Sequence, residues 1–243
     1  PSNDASSFNN IQAFSDDRTY GGNCRGTPDE YGITIYKMGF CTSELASGGA
    51  GSTVDYAGNG CIATYDNTDG EYTSFAVGGK NNLSSDKTTP PAIANYTHAY
   101  ILMGTTFKIK AKFGPFGDGN SWYSNGEAPD ATGQSGNTTS VEGDYLINSS
   151  PMNSFSGQGL CQSVWSGTVG DPLKAYLVNS TDNSIIADTR SNSNNGQCSG
   201  HDRVLGVATK SVTITKDTKE LLTTFDVSKN GATFWVAQDE NGV

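Results

Sequence analysis

The run from Phe107 to Phe113 constrains the fold most tightly, because Phe107, Ile109, Ala111 and Phe113 alternate with Lys108, Lys110 and Lys112. A period of two belongs to a β-strand with one face in a core and the other in water. Register is then well specified, since a slip of one residue would turn the lysines inward. Just upstream, Ile101, Leu102 and Met103 form a continuous apolar run, the pattern of a strand covered on both faces. Gly104 between the two runs reads as a turn, so Tyr96 to Phe113 is expected to be a β-hairpin at the centre of the fold.

The remainder of the chain repeats the rhythm of short strands and polar turns. Tyr31 to Cys41 is rich in β-branched and aromatic residues and reads as a long strand. Within it Ile33 and Ile35 alternate one way and Tyr36, Met38 and Phe40 the other, which predicts a β-bulge near Tyr36. Cys61 to Asp66 and Tyr72 to Val77 read as two strands joined through Asn67, Thr68, Asp69 and Gly70, since Asp-Gly is a strong hairpin signal. In the second half, strands are expected at 144–148, 160–165, 174–178, 184–187, 204–208, 211–215, 222–227 and 232–237. No segment sustains a helical period.

These runs specify an all-β chain: an antiparallel β-sandwich or jelly-roll-like body with long polar loops. The expected organisation is an extended segment over residues 1–22 followed by a single β-rich domain over 23–243, with a subdivision open near 114–142, the longest irregular stretch. Hydrophobic residues make up 34% of the 243-residue chain and glycines number 30, a profile of many strands and polar connections. The formal charge of −10 argues against nucleic acid or an anionic membrane surface as partner. No apolar run reaches the roughly 18 residues of a membrane-spanning helix. The chain opens on Pro1 with no initiator methionine, which reads as a mature exported protein whose signal has been removed.

Five cysteines, Cys24, Cys41, Cys61, Cys161 and Cys198, fall in neither CxxC nor zinc spacing. Two disulfides in an oxidising compartment are expected, Cys161 with Cys198 and Cys41 with either Cys24 or Cys61, leaving one cysteine over. Phe8, Ile11 and Phe14 are apolar anchors in an otherwise Ser-, Asn- and Asp-rich terminal segment. Such a segment can lie along a neighbouring copy and complete its sheet, so these three are candidate subunit contacts.

Catalytic signatures yield no assigned residue. His201 neighbours Asp202, yet a Ser-His-Asp arrangement is set in space and no Gly-x-Ser-x-Gly elbow occurs. His98 sits among tyrosines in a strand. Asp66, Asp69 and Glu71 are candidate calcium ligands in an irregular loop, an EF-hand being excluded because its first acid would fall at Tyr65. Calcium is the one candidate cofactor. Trp122 and Tyr123 are the candidate sugar-stacking residues.

The segment from Cys24 to Ser43, with its Tyr-Lys-Met-Gly-Phe-Cys-Thr-Ser ending, and the stretch Tyr96 to Tyr100 resemble a group of uncharacterised secreted proteins of marine bacteria. A late stretch, Val204 to Thr209, is similar as well. The resemblance implies export and a β-rich fold and supplies no catalytic residue. The expectation is therefore a non-enzymatic extracellular subunit that self-assembles into a surface filament, pilus-like fibre or coat, partnered by itself through strand exchange. The alternative is a secreted carbohydrate-binding or adhesive module.

Overall fold

The computed structural model describes residues 22–76, 79–113, 121–126, 138–139, 146–155, 160–169, 171–188, 197–224 and 232–236. Phe8, Ile11 and Phe14 lie outside them. In chain order the strands are β1 (Gly22–Gly26), β2 (Glu30–Cys41), β3 (Ile62–Ala76), β4 (Ala94–Gly104), β5 (Thr106–Lys110), β6 (Lys112–Phe113) and β7 (Trp122–Ser124). They continue with β8 (Thr138–Thr139), β9 (Asn148–Pro151), β10 (Val164–Val169), β11 (Asp171–Val178), β12 (Arg203–Ile214) and β13 (Ala232–Val236). The only helix among the described residues is a single 3₁₀ turn, Ser85–Lys87. The all-β expectation holds, and every strand pairing is antiparallel.

One eight-stranded sheet forms the body, in the order β10-β11-β12-β4-β2-β5-β9 with β3 on the other side of β2. Two smaller sheets pair β1 with β13 and join β6, β7 and β8, so the stretch read as irregular after Gly114 contains two short strands. The strands expected at 204–208 and 211–215 merge into one, β12, which ends at Ile214 and has a register break between Thr209 and Val212. Residues 222–224, expected to begin a strand, are not in one.

The two central hairpins expected from sequence are absent, for a shared reason. Met103 of β4 pairs with Ile35 and Lys108 of β5 pairs with Gly32, so both strands run along one edge of β2 in the same direction. The chain passes straight through Gly104, whose φ is not positive, rather than turning there. On the opposite edge of β2, Asp66 pairs with Lys37 and Glu71 with Ile35, so β3 also runs straight and merely bulges outward at Asn67–Gly70. Asp-Gly supplies the positive φ of Gly70, 75°, and a loop that rejoins its own line needs that as much as a hairpin does.

All these irregularities sit at the level of Tyr36, where register shifts against both neighbouring strands, the bulge foreseen from the alternation. Its effect is to invert the in-out pattern. Below it Ile33 and Ile35 are buried on what we term the back face; above it Met38 joins them there, while Cys41 is buried on the front face.

Both faces of the sheet are covered near its middle. On the front, Tyr100, Leu205, Val207, Tyr176 and Val178 pack under Leu45, Ala46 and Val54 from the connection between β2 and β3. On the back, Val204 and Leu177 pack with Cys161, Cys198, Met152 and Phe155, while Met103 and Phe107 bridge to Ile33, Ile35 and Tyr65. Leu102 faces the front cluster and Ile101 the back, which explains the unbroken apolar run.

Candidate functional site

Strand β10 is one lateral border of the large sheet. Its sequence, Val-Trp-Ser-Gly-Thr-Val, is β-prone and uncharged, and it pairs along its whole length with β11. The Leu177 amide donates to the Ser163 carbonyl at 2.8 Å, which sets the parity of the ladder. Residues 163, 165, 167 and 169 direct their backbone groups to β11, and Val164, Ser166 and Thr168 direct theirs outward. Of these outward groups, the Val164 carbonyl accepts the Gln162 side-chain amide at 3.0 Å. No strand lies beyond β10 among the described residues.

The opposite border, β3, is guarded. It bulges at Asn67–Gly70, carries Asp66, Asp69 and Glu71, and is overlaid by neighbouring chain. The Thr89 amide donates to the Thr64 carbonyl at 2.9 Å, and the Asn81 side chain reaches the Ser74 carbonyl. Bulges, charges and covering chain are the usual protections of an edge. Among the described residues strand β10 has none of the three, and that contrast makes it the candidate interaction site. Trp165 lies along the strand, its indole so close over Gly167 that a Cβ there would come within 2.5 Å of it.

Among the expected site residues, the cysteines form Cys41–Cys61 and Cys161–Cys198. Cys24 lies in β1, opposite Phe234, with its side chain outside the described residues. The first crosslink ties the end of β2 to the start of β3 beneath the connection that covers the front face. The second holds the turn before β10 to the segment before β12.

No family model, no curated protein and no solved structure matches the chain. Function must therefore be argued from its own residues.

Two of the three acids proposed for calcium are engaged with separate partners. Asp66 pairs with the Lys37 ammonium at 2.9 Å. Glu71 accepts from the Tyr65 hydroxyl at 2.9 Å and the Ser84 amide at 3.1 Å. Hydrogen bonding by Ser84, against an opposing desolvation, and then by Tyr65 holds the Glu71 carboxyl below its ordinary range. The Asp69 amide donates to the Asn67 side chain at 3.2 Å, an Asx turn that shapes the bulge. No group of three or more His, Cys, Asp or Glu side chains able to hold a metal occurs among the described residues.

Trp122 belongs to β7, its side chain outside the described residues, and Tyr123 is buried, 6% exposed, with the Lys112 ammonium 5.2 Å from its ring centre. His201 and Asp202 serve different partners. The His201 Nε2 donates to the Met152 carbonyl at 3.0 Å, while Asp202 accepts from the Ser180 amide at 2.8 Å and hydroxyl at 2.6 Å. His98 contacts the Thr97 hydroxyl through Nδ1 at 2.8 Å.

The β10 border escaped the sequence reading because a neutral β-prone run looks the same whether its outer side is paired or open. One signal was available: residues 163–169 contain no charge and no proline, whereas the runs now seen at β3 and β5 carry several charges.

Proposed function

We propose that this chain is a non-catalytic structural subunit that self-assembles outside the cell, copies being joined by strand addition at β10. The observation that carries this is the unguarded border of β10, whose Ser166 and Thr168 backbone groups are aimed outward at ladder spacing. An added strand satisfies a row of such groups at once, which gives affinity without a deep pocket. Two disulfides suit an oxidising compartment, and no helix among the described residues is long and apolar enough to cross a membrane. The donor strand in this scheme is the terminal segment of a neighbouring copy, with Phe8, Ile11 and Phe14 as its anchors.

Electron microscopy of negatively stained native protein, together with its mass in solution, tests the proposal. Fibres or regular oligomers are expected for the full chain and monomers for a chain lacking residues 1–21. A full chain that stays monomeric at high concentration overturns self-assembly; fibres that persist unchanged after the deletion overturn the donor assignment.

A further inference from the structure

The lower half of the front face, below the Tyr36 bulge, carries a second feature that assembly does not use. Tyr72 of β3 is 51% exposed, the one aromatic side chain among the large apolar residues shown to solvent in the described structure. Its phenol lies down on the sheet: a Cβ on Gly32 would stand 2.3 Å from its hydroxyl oxygen, 2.8 Å from Cζ and 2.9 Å from Cε2. The hydroxyl end of the ring therefore lies against Gly32 of β2, while half of the side chain is open to solvent.

The residues around it are polar and aligned. Ser74 pairs with Gly32, Gly32 with Lys108, and Lys108 with Ser149, a row across β3, β2, β5 and β9 on the same face as the ring. Thr34 pairs directly with Tyr72. The Lys108 ammonium hydrogen-bonds the Ser149 hydroxyl at 2.5 Å. Three interstrand spacings make the row about 14 Å long.

From this arrangement we infer a saccharide-binding face, on which a pyranose sets its C–H face against Tyr72 and turns its hydroxyls toward Thr34, Ser74, Lys108 and Ser149. A half-exposed aromatic ring beside hydroxyl and ammonium donors matches a ligand that is apolar on one side and hydrogen-bonding at its rim. An apolar peptide would strip water from Lys108 and Ser149 without replacing their hydrogen bonds. A polyanion such as nucleic acid meets a chain of net charge −10. The site is independent of the β10 border, which lies at the far side of β11, β12 and β4.

Native affinity electrophoresis through gels containing a soluble β-glucan, a mannan, a xylan or a galactan, all uncharged, tests the inference. At least one of these should retard the wild type. Tyr72→Ala should weaken that retardation about tenfold, the loss of one aromatic contact of roughly 1.4 kcal/mol. Tyr72→Phe should keep most of it, because the ring remains. Urea midpoints matching the wild type establish that each variant is folded. Absence of retardation by all four polysaccharides, or equal retardation of wild type and Tyr72→Ala, overturns the inference. Ser166→Pro, placed on the β10 border, should bind as the wild type does.

Discussion

Replacing Gly70 by alanine probes the packing at the Tyr36 bulge, and the structure supplies its own control. Gly70 has φ 75°, and a Cβ there would lie 2.6 Å from Tyr36 Cε1 and 2.7 Å from Thr34 Cγ2. The ring has no easy retreat, because the Arg203 guanidinium is stacked 3.6 Å from its centre. Forcing an L-residue into a left-handed conformation costs about 1–2 kcal/mol. Overpacking against a confined side chain adds about 1–3 kcal/mol. Gly70→Ala should therefore destabilise by about 2–5 kcal/mol. Gly49 has nearly the same backbone, φ 69°, but nothing within 4 Å of the added Cβ, so Gly49→Ala should show only the conformational part. Urea unfolding of both variants gives the comparison, read at a common m-value. A Gly70→Ala/Tyr36→Ala double variant should recover the Tyr36 share of the packing part as a favourable coupling, the contact with Thr34 Cγ2 remaining. If Gly70→Ala costs no more than Gly49→Ala, the Tyr36 ring is not held as described.

Three further outcomes follow from the fold. Ser166→Pro removes an amide that points away from β11, so it should leave the urea midpoint within about 1 kcal/mol of the wild type while abolishing fibres; undiminished fibres would exclude β10 as the joining edge. Cys41→Ala/Cys61→Ala opens a loop of sequence separation 20 and should cost about 3 kcal/mol by loop-closure entropy, and a loss below about 1 kcal/mol in urea unfolding would contradict that account. Burial pushes the Tyr176 hydroxyl up to about 12, Glu44 adding to the effect, and burial with the Asp66 charge does the same for Tyr56. These phenols stay neutral in the folded state while unfolded tyrosines ionise from about pH 10. Folded protein thus holds more protons between pH 10 and 12, and stability should fall across that window. Urea midpoints that do not change from pH 9 to 11.5 would refute it.

What was legible in sequence was periodicity within strands. The alternation around Tyr36 located a bulge that shifts register on both sides of β2, because side-chain parity is a local property that no partner can hide. Partner choice was not legible. Gly104 and Asp69-Gly70 carry the chemistry of turns, yet each serves a strand that continues along β2, since a long neighbour able to pair with both halves outweighs a local turn preference. The same limit hid the functional candidates. Tyr72 looks like any outward strand residue until Gly32 is found beneath it, and the openness of β10 depends on what is absent from its far side. Trp122 and Tyr123 drew attention by residue type alone, and Tyr123 proved to be a core residue. Disulfide spacing narrowed the choices without deciding between Cys24 and Cys61; the pairing of β2 with β3 decides it by bringing the strand ends together.

Each crosslink also turns a length of chain into a closed ring, one spanning Cys41 to Cys61 and the other Cys161 to Cys198. The larger ring contains β10 and β11 entire. A peptidase that cuts once within either ring produces two new termini and no detached piece: the severed ends stay tethered through sulfur and through the ladders of the sheet. Damage to these connections therefore accumulates as invisible nicks, detectable as fragments only after reduction, and a chain can be cut in both places while β10 keeps its place at the border of the sheet.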